Sequence, residues 1–378
     1  LGIKINTLWE VTAEQFDQRL SISVASGDLP DTMTLEPKQF NSFRKQDLLE
    51  DLTSAYQDYA LPIVKNNIEG DGGKYLGISK FDGKILGIPT GVGLVETSRV
   101  LWIRSDWLRN VQMPEPKTFQ DVEAIMDAFA NKDPDQNGKN DTASIAIHKD
   151  LEFFFTIEDI FRAHHIDYKM IKIDENGKAS YSGIDPENKK VLEKLQNYYK
   201  KGYIHKEFAT QDLASQVPEL INNNKIGMFY GAWWNFGWPL WASAAKGHQW
   251  KAFPILSADD KPVIHYLGGE PTRYVVRKGF AHPEALIKAL NLYAEKVYGP
   301  NAEYNKYARL SVVEKNDKGE EVTKEYNVGT GAELGIINPV DKDINIFRKI
   351  KAVIASGDTS SLNDEELKKY NDTVNYPK

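Results

Sequence analysis

Four segments of the chain carry apolar side chains at the three- and four-residue spacing of amphipathic helices. Two begin at Thr12 and Thr118, each followed three residues later by a Gln or Asp that completes a capping box. The other two begin at Pro186 and Pro283, since proline suits the first turn of a helix. The pattern therefore predicts four helices that each bury one face.

Short apolar runs lie between these helices and predict strands at Thr32–Leu35, Ile85–Ile88, Val100–Ile103, Ile226–Tyr230 and Tyr274–Val276. Strands that alternate with helices are typical of α/β units, in which the strands are mainly parallel. The chain is therefore predicted to be an α/β protein.

Length and composition limit the function classes. At 378 residues the chain is too long for one ordinary core, which suggests two domains. A net charge of -7 argues against binding to nucleic acid or an anionic membrane. Cysteine is absent, which excludes disulfides, thiolate nucleophiles and cysteine metal sites.

The segment Lys225–Trp241, KIGMFYGAWWNFGWPLW, is the most unusual part of the sequence. It contains four of the eight tryptophans. Indole is large and flat with a single donor, so it suits stacking on an apolar ligand face. A packed core cluster is the alternative, but glycine, asparagine and proline interrupt the run and disfavour one continuous packed face. The segment predicts the aromatic floor of a binding site.

The four tryptophans of this segment are predicted to have different roles, according to how far each lies beyond the end of the preceding strand. Trp233 and Trp234 follow the strand's carboxyl end and are predicted to face the ligand, with Asn235 as a polar neighbour. Trp238 is expected at the rim of the site. Trp241, one turn further on, is expected to pack inside.

Catalytic motifs are missing from the sequence. There is no glycine-rich phosphate loop, nucleophile elbow or HExxH. Glu10, Glu36, Glu96 and Glu270 lie near predicted strand ends, and a pair of them could serve glycoside hydrolysis. Hydrogen bonding to ligand hydroxyls is the better role for them, and an enzyme is the minority interpretation.

The segment DPDQNGKNDT has the spacing of a calcium loop, with alternate oxygen-bearing side chains and glycine at the sixth position. The predicted ligands are Asp133, Asp135, Asn137, the carbonyl of Lys139, Asp141 and Thr142. A polar mobile turn is the alternative. Position twelve is Ser144 rather than the bidentate Glu of a regulatory EF-hand, so a metal here would be structural.

Eight segments occur in the order found in one family. They are ASGDLPD (25–31), DGKILGIP (82–89), LWIRSDWL (101–108), PEPKT (114–118), DPDQNGKND (133–141), KKGYIHKEF (200–208), the aromatic stretch, and AHPEALIKALN (281–291). The chain resembles the extracellular solute-binding proteins of ABC importers, in particular alginate-binding proteins and the large oligosaccharide-binding lipoproteins of Gram-positive bacteria.

This resemblance implies a two-lobed periplasmic-binding-protein-like fold of type II. Each lobe would be a mostly parallel sheet flanked by helices, and crossing hinge segments would join the lobes. We expect residues 1–98 and 252–300 to form the first lobe, and 99–251 and 301–378 to form the second. The family's structural Ca²⁺ would lie in the second lobe. Family members usually extend further at both ends, so the chain is expected to be shortened there.

Ligands of open α/β sheets bind beyond the carboxyl ends of strands. This rule adds Glu36 and Thr90 to the predicted site. Trp9 with Glu10, and Glu270 with Arg273, are secondary candidates; a core tryptophan and surface charges are equally good interpretations of them.

The function implied by the resemblance is capture of a carbohydrate, expected to be an oligosaccharide, and its delivery to the transmembrane subunits of an ABC permease. The expected location is the cell surface of a Gram-positive bacterium, through a lipid anchor upstream of Leu1, or a periplasm. A receptor for a peptide or another polar solute, and an extracellular glycan-processing enzyme, are the alternatives.

Overall fold

Helices and strands alternate along most of the chain in the computed structural model, which describes residues 4, 6–70, 72–90, 98–151, 154–259, 261–263, 270–299, 301–307, 309–315, 319–327 and 341–376. The helices are α1 (Ala13–Ser26), α2 (Pro37–Lys45), α3 (Thr53–Tyr59), α4 (Pro62–Glu69), α5 (Lys74–Gly77), α6 (Ser105–Asn110), α7 (Phe119–Asn131), α8 (Glu158–Ala163), α9 (Asn188–Lys200), α10 (Gln216–Asn222), α11 (Leu240–Ala244), α12 (Glu284–Val297), α13 (Tyr304–Tyr307), α14 (Lys342–Ser356) and α15 (Asp364–Val374). The strands are β1 (Thr32–Leu35), β2 (Lys80–Phe81), β3 (Lys84–Ile85), β4 (Ile88–Thr90), β5 (Arg99–Arg104), β6 (Ala143–Ile145), β7 (Ile171–Ile173), β8 (Ala179–Tyr181), β9 (Ile226–Ala232), β10 (Trp250–Phe253), β11 (Thr272–Val276), β12 (Arg309–Lys315) and β13 (Glu321–Asn327). Within these ranges no helix is long and apolar enough to cross a bilayer.

The chain divides into two compact units. Unit 1 comprises residues 1–95 and 268–372, and unit 2 comprises 96–267 and 373–378. The predicted boundaries were wrong for three segments, the first of which is residues 96–98, which belong to unit 2. Residues 252–267 belong to unit 2, where β10 pairs with β5. Residues 301–372 belong to unit 1, where the Lys342 ammonium lies 4.6 Å from the centre of the Tyr298 ring, just beyond α12.

Unit 1 is built on a three-stranded sheet in the order β1-β11-β4, with both pairings antiparallel. Leu35 lies opposite Arg273, and Thr272 lies opposite Thr90. The end of β1, the start of β11 and the end of β4 therefore share one edge of the sheet. Helices α3, α4 and α12 pack together through buried apolar side chains, among them Leu52, Val64, Ile68, Ile287 and Leu290.

Unit 2 is built on a four-stranded sheet in the order β10-β5-β9-β6. Every residue of β9 is buried. At Gly227 an added Cβ would lie 2.3 Å from the ring of Trp107, so glycine lets the strand pass close to this fully buried indole. Trp107 in turn meets Phe129 of α7 edge-on, with ring centroids 5.2 Å apart. The buried β9 is thus a rigid support for the residues that follow it.

The four predicted helices are present as α1, α7, α9 and α12, and α1 and α7 begin with capping boxes at Thr12 and Thr118. The other two begin at Asn188 and Glu284, two residues and one residue after the predicted prolines. The Asp121 N–H donates to the Thr118 hydroxyl at 3.2 Å, as the pattern predicts. The prediction of mainly parallel strands was wrong, because β6–β9 is the only parallel pairing among the described strands of the two main sheets. A long excursion through α6 to α10 separates β5 from β9, so alternation along the chain does not determine their relative direction.

Candidate functional site

The aromatic stretch forms a turn at the carboxyl end of β9. The strand ends at Ala232, and Trp233–Phe236 form one turn of 3₁₀ helix. The Trp233 N–H donates to the Ser98 carbonyl at 3.1 Å, which ties the turn to the chain just before β5. We call residues 233–238 the aromatic turn.

Two phenylalanines hold the tryptophans of the aromatic turn in place. The half-buried Trp234 meets Phe154 edge-on, with centroids 5.0 Å apart. Trp238, 38% exposed, lies 6.2 Å from Phe155, a fully buried ring. Tilted and edge-on arrangements are the favoured geometries of aromatic pairs. The indoles are therefore fixed in orientation while part of their surface stays accessible.

The indole of Trp233 has a donor for which the described residues provide no acceptor. Its ring is half-buried, with the Phe236 ring 6.3 Å away. Its Nε1 is buried and has no acceptor within the described part of the chain. A buried donor without a partner is costly, so any acceptor that came to face this nitrogen would gain a hydrogen bond, but neighbouring groups cover the nitrogen in this structure.

Asn235 does not contact solvent, contrary to its predicted role as a ligand contact. Its side chain is fully buried and Nδ2 donates to the Trp238 carbonyl at 2.8 Å. Its Oδ1 lies over Gly231, where an added Cβ would approach it to 2.3 Å. Asn235 therefore holds the aromatic turn in place from its buried side. Gly231 leaves room for the Asn235 side chain because it has no Cβ.

The prediction that Trp241 packs inside was also wrong. Trp241 is 38% exposed, and its ring meets Tyr376 edge-on at 5.3 Å. The neighbouring Leu240 is fully buried, and successive residues of a helix point about 100° apart, so Trp241 is turned outward. The Tyr376 hydroxyl also donates to the Phe236 carbonyl at 3.3 Å.

Phe154 and Phe155 are not among the site residues predicted from the sequence. They belong to a run of three phenylalanines at 153–155, which was a usable signal of aromatic clustering. Their approach to β9 depends on a tertiary contact, because the Phe155 N–H donates to the Tyr230 carbonyl at 3.1 Å.

In unit 1 the shared edge of the sheet brings Glu36, Thr90 and Glu270 close to one another along the strand ends. Glu36 follows β1 and is the N-cap of α2, where its N–H donates to the Gln39 Oε1 at 2.8 Å and its side chain is exposed. Thr90 is buried at the end of β4. Glu270, just before β11, is half-exposed. The two carboxylates can accept hydrogen bonds from hydroxyl groups at this edge.

Arg273 is structural, contrary to its prediction as a ligand contact. Its side chain is 1% exposed and its guanidinium lies 4.4 Å from the centre of the Phe40 ring. It donates to the Ser79 hydroxyl at 3.1 Å, to the Pro271 and Ile78 carbonyls, and to Glu270 at 3.1 Å. Burial lowers the pKa of this guanidinium. With its nitrogens already bonded, Arg273 anchors this edge of the sheet.

The structure places Trp9 against α1. Its ring lies 5.6 Å from Phe16, and the Arg19 guanidinium lies 5.5 Å from the ring centre. Glu10 is exposed. These contacts favour a packing role for Trp9.

The predicted calcium loop is already folded around its acidic residues. Both carboxylate oxygens of Asp133 accept backbone N–H groups, from Asn137 at 3.1 Å and Gly138 at 2.9 Å. The Asn137 amide donates to Asp135 at 2.8 Å and to Asp141 at 3.1 Å. Burial, the hydrogen bond with Asp133 and the charge of Asp141 raise the pKa of Asp135. Negative charge is therefore concentrated within one short loop.

The donor set of this loop fits a hard cation. The Asp135 Oδ1 is buried without a hydrogen-bond partner in the described chain. Across those residues, no three Asp, Glu or His side chains are grouped closely enough to hold a metal alone. Asn137 and the Lys139 carbonyl would have to complete an all-oxygen set, which is the donor chemistry that Ca²⁺ prefers.

Thr142 is not part of this set, contrary to its prediction as a ligand. It is buried, and its hydroxyl donates to the Phe129 carbonyl at 2.8 Å. The contact joins the end of the loop to α7. Thr142 therefore has a packing role.

Residues 2–294 match the family described as bacterial extracellular solute-binding protein. Among curated proteins, the chain is 28% identical to Lipoprotein LipO of Bacillus subtilis over 219 residues, or 56% of this chain and 41% of LipO. It is 27% identical to the polygalacturonan/rhamnogalacturonan-binding protein YtcQ of the same organism over 237 residues, or 60% of this chain and 44% of YtcQ. The chain thus spans less than half the length of these relatives.

Among solved structures, the chain is similar to the ABC-transporter substrate binding protein FusA of Streptococcus pneumoniae in complex with kestose. The TM-score is 0.63 at 18% identity, covering 97% of this chain and 76% of FusA. This similarity supports the α/β fold with two units. Because the family match spans most of the sequence, this chain belongs to the bacterial extracellular solute-binding protein family.

Proposed function

We propose that this protein is a non-catalytic receptor for an oligosaccharide, which it captures outside the cell and delivers to an ABC permease. The observation that carries the proposal is the aromatic turn, where half-exposed indoles are fixed at the carboxyl end of a buried strand. Sugar rings present flat C–H faces that stack on such surfaces, while their hydroxyl groups hydrogen-bond at the edges.

The ligands of related proteins support a carbohydrate as the ligand class. YtcQ binds polygalacturonan and rhamnogalacturonan, and FusA is a substrate-binding protein solved with kestose. These are polymers or oligomers of sugars rather than peptides. We therefore propose a ligand of several sugar units.

The candidate ligand groups of each unit suit binding rather than catalysis. In unit 1, the exposed carboxylates of Glu36 and Glu270 offer acceptors for hydroxyl hydrogens, and in unit 2 the half-buried rings of Trp233 and Trp234 offer faces for stacking. The Arg273 guanidinium donates to the Glu270 carboxylate at 3.1 Å, which holds this acceptor in place at the strand end.

A panel of neutral and acidic oligosaccharides, with peptides as a second panel, tests the proposal by isothermal titration calorimetry. We expect saturable binding of at least one oligosaccharide and an unchanged ligand by mass spectrometry afterwards. Binding confined to the peptides would replace the sugar with a peptide ligand. Steady release of shorter sugars would instead establish an enzyme.

A cell-surface location and a permease partner belong to the same proposal. The relative LipO is named a lipoprotein and FusA an ABC-transporter protein. We propose that this protein acts outside the membrane as an anchored receptor. Fractionation of the producing cells, with detection of this chain, should recover it with the membrane or the extracytoplasmic fraction.

We also propose that the loop formed by residues 133–141 holds a structural Ca²⁺. Asp133, Asp135, Asn137, the Lys139 carbonyl and Asp141 would be the ligands. The metal would neutralise the carboxylates of this loop, where burial first, and then the neighbouring Asp133 and Asp141, raise the pKa of Asp135. Its expected contribution is to the stability of unit 2.

Chelation tests this second proposal. Binding to the folded state alone contributes about 2.7 kcal/mol when the metal is at 100 times its Kd. We expect EDTA to lower the melting temperature by about 5–11 °C while leaving oligosaccharide affinity within about twofold. The Asp135→Asn variant should melt at the temperature of the EDTA-treated wild-type protein, whether or not chelator is present. Equal melting of the wild-type protein in calcium and in EDTA would contradict the site.

A further inference from the structure

In the loop formed by residues 133–141, one carboxylate is paired with a lysine ammonium group. The Lys225 ammonium lies 2.5 Å from the Asp141 Oδ2, and the other oxygen of Asp141 accepts from the Asn137 amide. Both oxygens of this predicted ligand are therefore occupied by donors from the chain itself. We propose that Lys225 is a built-in competitor of the metal, which occupies Asp141 in the metal-free protein and weakens metal binding.

The two groups that donate to Asp141, the Asn137 amide and the Lys225 ammonium, differ in whether they can also bind a metal ion. An asparagine amide carries both a carbonyl oxygen and an NH₂ group, so rotation can present its oxygen to a cation. A lysine ammonium has donors only and a full positive charge, so it can never become a ligand. Of the two, Lys225 must leave or share Asp141 when a cation binds.

The backbone holds Lys225 beside the loop. Its N–H donates to the Leu220 carbonyl at 2.9 Å, and its carbonyl accepts from the Ala143 N–H at 2.8 Å. Lys225 directly precedes β9, so the core fixes its Cα while only the side chain can move. The ammonium can be displaced from Asp141, but it stays within the length of one side chain. Its repulsion of a bound cation therefore persists.

The size of the effect follows from Coulomb's law. A single and a double positive charge about 5 Å apart in a water-like dielectric repel by enough to change affinity about tenfold. The side chains of Lys225 and Asp141 are 33% and 38% exposed, so a high effective dielectric applies. Salt should screen the repulsion, because the Debye length falls to about 3 Å at 1 M ionic strength.

The test is calorimetric titration of Ca²⁺ into the full chain and its variants at low and high salt; it rests on the calcium site proposed above. We expect Lys225→Gln and Lys225→Met to bind Ca²⁺ about tenfold more tightly than the wild type at low salt, with the difference shrinking in 1 M KCl. The matched control is Lys246→Gln, which removes the same charge from a lysine bonded to the Asn222 carbonyl and Asn223. It should bind as the wild type does.

Each outcome decides the inference. Equal affinity of both Lys225 variants and the wild type would overturn it, and weaker binding would assign Lys225 a supporting role in the loop instead. No Ca²⁺ binding by any variant would overturn both the calcium site and this inference. Oligosaccharide binding measured in the same samples separates that result from failure of the proposed receptor function. Cooperative melting in EDTA confirms that each variant is folded.

Discussion

Replacement of Trp234 by alanine is expected to weaken oligosaccharide binding by about 10- to 100-fold, because a stacked indole contributes about 1–3 kcal/mol of apolar burial. Trp233→Ala should have an effect of similar size, since it removes a half-buried ring of the same turn. Titration calorimetry with the best oligosaccharide from the panel measures both.

Trp241→Ala is the matched control for these variants. Trp241 belongs to the same stretch and is as exposed as Trp238, but its ring packs against Tyr376. We expect its loss to leave affinity within about twofold, because its contact is internal to the protein. Full affinity in both Trp233→Ala and Trp234→Ala would remove the aromatic turn from the ligand site.

Replacement of Arg273 by alanine is expected to destabilise unit 1 by about 2–4 kcal/mol, because it leaves buried acceptors unpaired and empties the space above Phe40. The Ser79 hydroxyl and two carbonyl groups would lose their donor. Urea unfolding followed by circular dichroism measures the change.

Arg277→Ala is the control, since Arg277 lies just beyond the end of β11 and pairs with Asp31 at an exposed position. Exposed ion pairs contribute about 0–1 kcal/mol, so little change is expected. An Arg273→Ala protein with wild-type stability and lost ligand binding would restore the contact role that the sequence suggested.

Local features could be predicted where neighbouring residues determine them. Capping boxes at Thr12 and Thr118 place helix starts correctly, because the bonds join residues three positions apart. The Asp133–Asp141 loop is likewise a local pattern, and its turn forms around Asp133 as the spacing predicts. The roles of Arg273 and Asn235 could not be predicted this way, because their partners depend on how the surrounding chain folds.

The sequence by itself determined the α/β class, the helix starts, the acidic loop and the concentration of indoles after one buried strand. Only the tertiary structure decided strand direction, the allocation of residues 301–372 to unit 1, and which aromatic residues are accessible. It also brought Lys225 to Asp141 across a large separation in the chain. The physical reason is that burial and charge proximity are properties of neighbours in space. A tryptophan or an arginine is therefore a binding group or a scaffold group according to the elements packed around it.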